Sequence, residues 1–433
     1  MIKVCKFGGS SLASAEMFLK VKNIVLADET RKIVVCSAVG KKDSDDSKIT
    51  DLLYILYAHL KYKVSYKEIW DFIKEKFISI KNELKIDFDI EGELNKLQGE
   101  LNNKISEEYL ISRGEYLTSK MFAKYLGYDF VDSKDLFIYS YDGEIIEAKS
   151  KENVREAFKN HEKMVVSGFY GAYENGDIKL FSRGGSDITG AYLAAFLNAE
   201  IYENWTDVSG ILAADPKIVK DPKIIDEITY RELRELSYMG ANVLHEETIF
   251  PVMSKNIPIN LKNTNRPLDR GTFIKNTCDS YKTEITGIAG KKGFMSFNIV
   301  KNHMSNEIGF LRKALSIFER YNISVEHVPS GIDSFSVIVP YEEANKVKYD
   351  IASELITVLN AEVEIQFDIA LISIVGKNLK GHSGILGKIF NVLGNNDINI
   401  RLSAVGPLEL SIILGVEEKD YEQSIKLLYS ELI

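Results

Sequence analysis

IKVCKFGGSSL, residues 2–12, joins an apolar run to a pair of glycines and then to a helical pattern. Lys6 stands at the end of the apolar run, and Gly8 and Gly9 follow it. The stretch does not fit a P-loop, because the lysine of a P-loop follows the last glycine. Two interpretations remain open: a turn that binds phosphate through its N–H groups, or only a tight turn before a helix that begins at Ser10 and Ser11. Both predict the strand, turn and helix that open an α/β domain.

The same alternation of strand and helix patterns continues to residue 282. Several apolar runs are hydrophobic almost throughout, as expected of parallel strands that are covered on both faces. We predict strands at residues 2–7, 31–39, 162–172, 199–208 and 257–263, and helices at residues 14–27 and 187–199. This order indicates a three-layer αβα domain with a mainly parallel central sheet over residues 1–282. Residues 54–125 interrupt it with a pattern typical of a helical subdomain.

Residues 283–433 follow a different pattern, that of two α+β ferredoxin-like repeats. The first repeat, about 293–368, has the order βαββαβ, with strands at 294–300, 322–328, 333–340 and 361–367 and helices at 307–320 and 342–358. The second, about 369–433, has strands at 369–375, 398–405 and 408–416 and helices at 383–394 and 420–432. It ends one strand short, which would expose a sheet edge. We expect residues 284–290 to fill that edge; an independent terminal hairpin is the alternative.

Composition and charge exclude several classes of function. The 54 basic and 63 acidic residues give a net charge of −9, which disfavours nucleic acid or an anionic membrane as a partner. No run approaches the roughly 18 apolar residues of a membrane span, and no signal pattern opens the chain, so we expect a cytoplasmic protein. Cys5, Cys36 and Cys278 are far apart in the sequence, which predicts neither a disulfide framework nor a direct metal site.

A second glycine turn repeats the design of the first. Arg183 precedes Gly184 and Gly185, and Ser186 and Asp187 then open a helix. One such turn can be ordinary helix capping, but two turns that each follow a cation indicate joint binding of an anion. A third segment, TDVSGILAADPKIV at 206–219, follows a strand and is a candidate nucleotide loop.

A fourth segment, SRGEYLTS at 112–119, places Glu115 on a glycine turn before a helix, where a first-turn glutamate favoured by the helix dipole is the alternative. Together the four segments favour phosphoryl transfer, which needs alignment and charge neutralisation more than covalent help. A carboxylate acceptor would already be ionised at pH 7 and would need no general base. The positions of the histidines agree with a reaction that needs no general base, because only His245 lies near an identified motif.

The chain resembles the aspartate kinases, which have the amino-acid-kinase fold followed by tandem ACT domains, over essentially its whole length. The matching segments, in order, are KFGGSS (6–11), KITDLL (48–53), SRGE (112–115), GFYGA (168–172), RGGSD (183–187), TDVSGILAADP (206–216), MGANVLH (239–245) and LKNTNRP (261–267). The resemblance implies ATP-dependent phosphorylation of the side-chain carboxylate of L-aspartate to 4-phospho-L-aspartate. That reaction is the first step of lysine, threonine and methionine biosynthesis, and its Mg²⁺ would be carried by ATP.

The resemblance also implies roles for individual residues. Lys6 and Asp187 would be catalytic, Lys6 by stabilising charge on the transferred group and Asp187 by organising Lys6 or metal-bound water, unless Asp187 is only a helix cap. Aspartate would bind at Thr50, Glu115, Arg183 and Ser186. ATP would contact Lys6, Phe7, Gly8, Gly9, Ser10, Thr206, Asp207, Leu212, Lys217, Asn242 and Val243.

Some positions depart from the pattern of the aspartate kinases. Asn242 stands where many relatives have a lysine assigned to the ATP phosphates, and Lys255 and Lys262 are candidate replacements. Lys217 stands in place of an arginine and can act as a point charge but not as a bidentate fork. Residues 40–48, GKKDSDDSK, form a charged insert that we expect to be an exposed loop.

The two repeats resemble ACT domains, which bind amino acids at helix starts. The effector pattern falls on Met304, Gly309, Phe310, Leu311, Ser324, Val325 and Glu326. The backbone at Gly309 suits a carboxylate and Glu326 suits an ammonium group, which favours lysine as effector, alone or with threonine. A repeat used only for dimerisation is the alternative, and a homodimer or homotetramer through these domains is expected. The rival functions are another amino-acid kinase, such as glutamate 5-kinase or acetylglutamate kinase, and a catalytically silent amino-acid sensor.

Overall fold

The computed structural model describes residues 1–182, 184–240, 244, 246–278, 285–379, 383–406, 408 and 410–433. The chain divides into two compact units. The first contains Met1–Ile211, Asp226–Tyr230 and Val243–Cys278. The second contains Leu212–Ile225, Arg231–Asn242 and Asp279–Ile433, so two segments from the first 282 residues belong to the C-terminal unit.

The first unit is built on a mainly parallel sheet, as predicted. Its strands are β1 (Lys3–Phe7), β2 (Arg31–Cys36), β3 (Asp129–Val131), β4 (Ile138–Tyr139), β5 (Met164–Ser167), β6 (Tyr170–Tyr173), β7 (Ile178–Leu180), β8 (Ile201–Thr206), β9 (Glu227–Thr229), β10 (Ile259–Asn263) and β11 (Thr272–Lys275). Within the described residues, eight of them form the sheet β3-β5-β2-β1-β8-β10-β11-β9. Only the pair β10 and β11 is antiparallel there. The short strands β4, β6 and β7 form a separate small sheet.

One predicted strand, residues 162–172, is two strands in different sheets. It breaks between β5 and β6 at Gly168 and Phe169, and Phe169 has a φ of 79°. A positive φ is unfavourable for a bulky residue, so the surroundings must hold it. The Phe169 N–H donates to the Thr189 hydroxyl and its carbonyl accepts from the Phe181 N–H.

Helices cover both faces of this sheet and form the predicted helical insertion. Up to residue 253 the helices of this unit are α1 (Ala15–Leu26), α2 (Ile49–Lys61), α3 (Lys67–Leu84), α4 (Ile90–Glu100), α5 (Glu107–Leu126), α6 (Ser133–Leu136), α7 (Glu147–Asn160), α8 (Gly185–Leu197) and α10 (Glu246–Met253). Helix α9 (Tyr230–Tyr238) belongs to the second unit from Arg231 onward. Apolar residues of α1 to α5 share one buried cluster with β1 and β2. This cluster fixes the helical insertion against the edge of the sheet where those strands end.

Two local predictions in this unit are wrong. Residues 112–119 lie inside α5, so Glu115 is neither on a glycine turn nor in a first helical turn. Gly114 lets α5 pack closely on its neighbours, because a Cβ there would lie 3.0 Å from the Ala38 Cβ. The helix expected at Ser10 and Ser11 is a short 3₁₀ turn, Gly9–Leu12, and α1 begins after Ser14, whose hydroxyl accepts from the Met17 N–H at 3.3 Å.

The second unit contains one antiparallel sheet with helices packed on it. Its strands are β12 (Gly287–Val300), β13 (Ser334–Pro340), β14 (Glu362–Val375), β15 (Leu402–Val405) and β16 (Ser411–Glu417). Its helices beyond residue 300 are α11 (Phe310–Arg320), α12 (Tyr341–Ala344), α13 (Lys348–Leu359), α14 (Ile385–Gly394) and α15 (Tyr421–Leu432). Among the described residues the sheet order is β13-β12-β14-β16-β15.

Two strands of this sheet run through both repeats. Residues 287–291 of β12 pair with 371–375 of β14, at the sheet edge that residues 284–290 were expected to fill. The same two strands pair again between 294–300 and 362–369. The register shifts between the two blocks, next to Gly293 at φ 87° and Asp368 at φ 56°. Two separate apolar clusters lie on either side of this break.

The predicted strand 322–328 is wrong as a regular strand. Its pairing with β13 is limited to isolated bridges at His327 and Ser330. Pro329 has no N–H to donate, which interrupts the ladder between the two bridges. The predicted strand 398–405 is shorter than expected and begins at Leu402.

In the part of the chain that the structure describes, no helix is both long and apolar enough to cross a bilayer.

Candidate active site

A buried ion pair lies at the end of the first strand. Lys6 of β1 contacts the Asp187 carboxylate of α8, with 2.6 Å between Nζ and Oδ1. The two side chains are 10% and 18% exposed. Burying two charges costs desolvation energy, which their attraction offsets only with good geometry and further hydrogen bonds. Such a pair is therefore a better indication of function than of stability.

Strand β8 supplies the further hydrogen bonds. Asn204 is the register partner of Lys6 and donates its side-chain N–H to Asp187 Oδ1 at 2.9 Å. Tyr202, two residues earlier on the same face, donates its hydroxyl to the Asp187 carbonyl at 3.0 Å. Helix α8 can approach β8 this closely because residue 190 is glycine, where a Cβ would lie 2.6 Å from the Tyr202 ring. Asp187 is thus held toward Lys6 rather than acting as a helix cap.

The first glycine turn packs against a second loop. Gly8 donates its N–H to the Trp205 carbonyl at 3.1 Å, and the Gly40 N–H donates to the Gly9 carbonyl at 3.0 Å. A Cβ on Gly40 would lie 2.3 Å from the Gly9 carbonyl carbon, so only glycine fits there. A Cβ on Gly8 would lie 3.5 Å from the Lys6 Nζ, which places the ammonium directly over the turn.

Glu115 is a buried acid with an unused oxygen. It is 4% exposed, and within the described residues its Oε2 has no hydrogen-bond partner. Burial raises its pKa to about 8, although the N–H groups of Ala38 and of Glu115 itself act in the opposite direction. An added cation would satisfy the free oxygen and return the carboxyl to its charged form.

The other proposed aspartate contacts surround the same strand ends. Thr50 lies half-buried in the first turn of α2, and the Ile49 N–H beside it donates to the Val39 carbonyl after β2. Ser186 lies against the end of β5, since a Cβ on Gly168 would lie 2.5 Å from its hydroxyl. Arg183 lies outside the described residues. Parallel strands that end at one edge form the usual ligand crevice of an α/β sheet.

The nucleotide-side residues of the first unit have different surroundings. Ser10 and Asp207 are exposed, and the Thr206 hydroxyl donates to the Asp207 carboxylate at 3.1 Å. The Phe7 side chain is fully buried and stacks on Trp205 at 5.8 Å, so only its main chain is available to a ligand.

Lys262, a candidate replacement for the lysine missing at Asn242, faces away from Lys6. It is the register partner of Trp205, whereas Lys6 is the partner of Asn204, so the two lysines lie on opposite faces of the sheet. Its Nζ donates to the Asp269 carbonyl at 2.8 Å and lies over the Trp205 ring. Lys255 is exposed in the turn after α10. Asn242 and Val243 themselves lie outside the described residues.

A cradle of this kind can neutralise an anion at its glycine turn and bind an ammonium group at Glu115. Searched over the described residues, no group of three His, Cys, Asp or Glu side chains could hold a metal ion.

Comparison with known proteins gives the family. The amino acid kinase family matches residues 1–263, and an ACT domain matches residues 372–432. The aspartokinase 3 of Bacillus subtilis is 36% identical, over 99% of this chain and 98% of its own. The chain belongs to the aspartokinase family. The crystal structure of Clostridium acetobutylicum aspartate kinase is 44% identical, with a TM-score of 0.92 and complete coverage of both chains.

Another family member has been solved with ligands. The Escherichia coli aspartokinase III structure in complex with lysine and aspartate is 26% identical, covers 100% of this chain and 99% of its own, and has a TM-score of 0.77. The same protein has also been solved with aspartate and ADP, at a TM-score of 0.76. The mainly parallel kinase sheet and the C-terminal ACT sheet are therefore those of the aspartokinase family.

The second unit contains the remaining predicted residues. Lys217 is exposed, its N–H bonded to the Asp215 carboxylate at 2.8 Å, and Leu212 forms an isolated bridge with Ile224.

The effector positions of the aspartokinase pattern lie at the start of α11 and after it. Gly309 precedes α11 at a φ of 76°, and Met304 and Phe310 are buried beside it. Leu311 and Ser324 are exposed and Val325 is half-buried, whereas the Glu326 carboxylate accepts the Tyr238 hydroxyl at 2.6 Å.

Sequence reasoning missed two contributors to the site of the first unit. Asn204 alternates with Thr206 on one face of a predicted strand, but the order of the strands could not be read from the sequence, so only the structure places it beside Lys6. The Ala38 N–H, which donates to Glu115, had no detectable signal, because a backbone N–H donor cannot be recognised from the residue type.

Proposed function

We propose that this member of the aspartokinase family transfers the γ-phosphoryl group of ATP to the side-chain carboxylate of L-aspartate, giving 4-phospho-L-aspartate and ADP. The observation that carries the proposal is Glu115: its buried carboxyl has an unused oxygen that can pair with a cation, and the α-ammonium of aspartate supplies one. The E. coli relative, solved with aspartate and ADP, supports the same pair of ligands.

The substrate amino acid is bound through its three ionised groups. Glu115 pairs with the α-ammonium group, and Arg183 takes a carboxylate in a bidentate fork, as guanidinium groups do. Thr50 and Ser186 donate hydroxyl hydrogen bonds to the remaining oxygens. The acceptor carboxylate then points toward the glycine turn with its charge intact, so no general base is needed.

The transfer step is assisted by charge rather than by covalent chemistry. Lys6 stabilises the negative charge of the transferred phosphoryl group, and Asp187 keeps the Lys6 ammonium over the turn. The main chain of Phe7, Gly8, Gly9 and Ser10 approaches the phosphates. The nucleotide also contacts Thr206, Asp207, Leu212, Lys217, Asn242 and Val243. Mg²⁺ accompanies ATP.

We assign residues 1–282 to the kinase domain and residues 283–433 to two regulatory ACT domains, about 293–368 and 369–433 with strand 284–290. Lysine, alone or with threonine, inhibits by binding at Met304, Gly309, Phe310, Leu311, Ser324, Val325 and Glu326. The E. coli relative in complex with lysine supports this effector. The proposal includes a homodimer or homotetramer, a cytoplasmic location and a place at the start of lysine, threonine and methionine biosynthesis.

One assay tests the reaction and its regulation. The full chain is incubated with Mg-ATP, aspartate and hydroxylamine, which traps the acyl phosphate as aspartyl hydroxamate. We expect hydroxamate with aspartate, less with added lysine, and none with glutamate or acetylglutamate. Absence of hydroxamate with every acceptor would favour a silent amino-acid sensor, and activity that ignores lysine and threonine would contradict only the regulation.

A further inference from the structure

Lys76 binds the charged loop of residues 40–48 from the neighbouring helix α3. Its Nζ lies 2.8 Å from both carboxylate oxygens of Asp46, 2.6 Å from the Ser47 carbonyl and 3.0 Å from the Gly40 carbonyl. Lys76 is 11% exposed and Asp46 15%, so most of this cluster is shielded from water. The loop was expected to be exposed, and its tip is, but its two ends converge on one buried ammonium group.

The acid of this pair is held in its charged form. Burial alone would raise the pKa of Asp46, but the Lys76 ammonium and the N–H groups of Lys42 and Ser47 together lower it. The loop is thus closed by a charged bond at any pH near neutrality. Its ends are also joined by the Ile49 N–H, which donates to the Val39 carbonyl at 3.0 Å.

Both ends of this loop continue into the proposed aspartate and phosphate contacts. At one end, Gly40 accepts from Lys76 through its carbonyl and donates its N–H to the Gly9 carbonyl of the glycine turn. At the other end, Ser47 accepts from Lys76, and Thr50 follows three residues later in the first turn of α2. One side chain therefore connects the helical insertion to the phosphate turn and to the aspartate-binding helix start.

Other lysines of α3 lack this arrangement. Lys74 pairs with Asp71 one turn away on the same helix, and that aspartate is 50% exposed. A surface pair of this kind contributes about 0–1 kcal/mol and orders nothing beyond its own helix. Lys76 instead donates to the carbonyls of Gly40 and Ser47, which lie at opposite ends of the loop. Such a side chain holds the two ends of the loop at a fixed distance from each other.

We propose that Lys76 is a positioning residue for aspartate: its bonds to Gly40, Asp46 and Ser47 hold Thr50 and the glycine turn at the spacing that the substrate requires. The inference rests on the proposed function. It concerns aspartate more than ATP, because Thr50 is on the aspartate side of the site and Ser47 is the oxygen closest to Lys76.

The test measures KM and kcat for both substrates in Lys76→Met and Asp46→Asn, with Lys74→Met as the matched control. We expect KM for aspartate to rise about tenfold in Lys76→Met, with kcat and KM for ATP within about threefold of wild type. Asp46→Asn, which keeps an oxygen for the lysine, should produce a smaller rise of the same kind. The double variant should resemble Lys76→Met alone, because the two residues act through one contact.

The outcomes separate this inference from the proposed function. Wild-type protein that forms no aspartyl hydroxamate refutes both. Active wild type with an unchanged KM for aspartate in both single variants refutes the positioning role alone. If Lys76→Met fails to fold, Asp46→Asn decides, with the thermal unfolding of Lys74→Met as its control. If Asp46→Asn is less stable than Lys74→Met but its KM for aspartate is unchanged, the inference is overturned. Recovery of a near-normal KM in Lys76→Arg supports it.

Discussion

At the scale of single residues, the site depends on charges kept in poorly hydrated surroundings. Lys6 has a fixed partner in Asp187, whereas Glu115 has an oxygen with no partner among the described residues. An unpartnered buried acid lowers stability unless a ligand pairs with it. The two residues therefore have different roles. Lys6 stabilises the negative charge that develops on the transferred phosphoryl group, and Glu115 pairs with the positive α-ammonium group of the substrate.

Replacing Lys6 by methionine should lower kcat for hydroxamate formation by about 100- to 1,000-fold, the usual effect of removing one stabiliser of transition-state charge. Lys3→Met is the control, since Lys3 lies on the same strand and pairs with Asp28 instead. Thermal unfolding should change little in Lys3→Met, whereas Lys6→Met should unfold at a lower temperature because Asp187 loses its cation. A Lys6→Met enzyme with more than a tenth of wild-type kcat would rule out the role in charge stabilisation.

Glu115→Gln should raise KM for aspartate by about 30-fold or more, the range found when one partner of a buried charge pair is truncated. Glu108→Gln is the control, because Glu108 lies on the same helix and pairs with Lys179 near the surface. Isothermal calorimetry with aspartate alone measures the affinity without catalysis. Equal affinities in Glu115→Gln and wild type would remove Glu115 from the aspartate site.

The raised pKa of Glu115 predicts that Glu115→Gln, although it weakens aspartate binding, makes the ligand-free protein more stable at pH 8. The folded value of about 8 is above the ordinary 4.5, so the unfolded chain releases this proton at lower pH. The contribution of the carboxyl to stability is complete below about pH 4.5 and is lost as pH rises through 8. Without ligand, Glu115→Gln should therefore melt higher than wild type at pH 8 and equally at pH 4.5. In wild type, KM for aspartate should fall as pH rises from 6 to 8.

At the scale of elements, close packing of α5 determines where Glu115 lies. Gly114 lets α5 contact both the segment after β2 and the start of α2: an added Cβ would lie 3.0 Å from the Ala38 Cβ and 3.3 Å from the Ile49 Cγ2. Ala38 donates to Glu115, and Ile49 precedes Thr50. One glycine inside a helix thus brings two proposed aspartate contacts together.

Gly114→Ala should destabilise the protein by about 1–3 kcal/mol, because overpacking exceeds the gain of roughly 1 kcal/mol in helix propensity. KM for aspartate should rise as well, since α2 must move. The matched control is Gly99→Ala in α4, where no atom lies within 4 Å of the added Cβ, and there alanine should stabilise. Urea unfolding of both variants gives the comparison. Stabilisation by both alanines would contradict the close-packing account of α5.

At the scale of the whole molecule, the C-terminal ACT sheet is continuous across the two repeats. Strands β12 and β14 each run through both ACT cores, with register shifts between Lys291 and Phe294 and between Phe294 and Ser296. The second unit also includes the segment Arg231–Asn242, whose Tyr238 bonds Glu326. The proposed effector residue therefore contacts a helix that directly precedes Asn242, a residue proposed to contact ATP. Burial and Glu326 together raise the pKa of Tyr238 to about 12, so this hydroxyl remains a donor at neutral pH.

Glu326→Gln should weaken inhibition by lysine while leaving kcat within about twofold of wild type, since Glu326 is proposed to bind the effector ammonium. The lysine concentration that halves activity should rise by at least about tenfold, in line with the loss of one charged pair. Glu342→Gln, an exposed residue in the same repeat, is the control. Unchanged lysine sensitivity in Glu326→Gln would mean that lysine binds elsewhere.

The sequence by itself determined the fold class, the two glycine turns, the helical insertion and the family, because these depend on local patterns and on ordered motifs. It predicted that Lys6 and Asp187 belong to one site but left Asp187 open as a helix cap. It misplaced Glu115, since a glycine before a glutamate is typical of a turn, whereas Gly114 lies inside α5 and packs against Ala38.

Only the tertiary structure decided which groups meet. The pairing of Lys6 with Asp187 and Asn204 joins β1, α8 and β8, and the anchoring of residues 40–48 by Lys76 joins a loop to α3. The continuous strands β12 and β14 likewise depend on pairing between distant segments. Such contacts form between residues far apart in the chain, so their energies are set by burial and register, which no local pattern records.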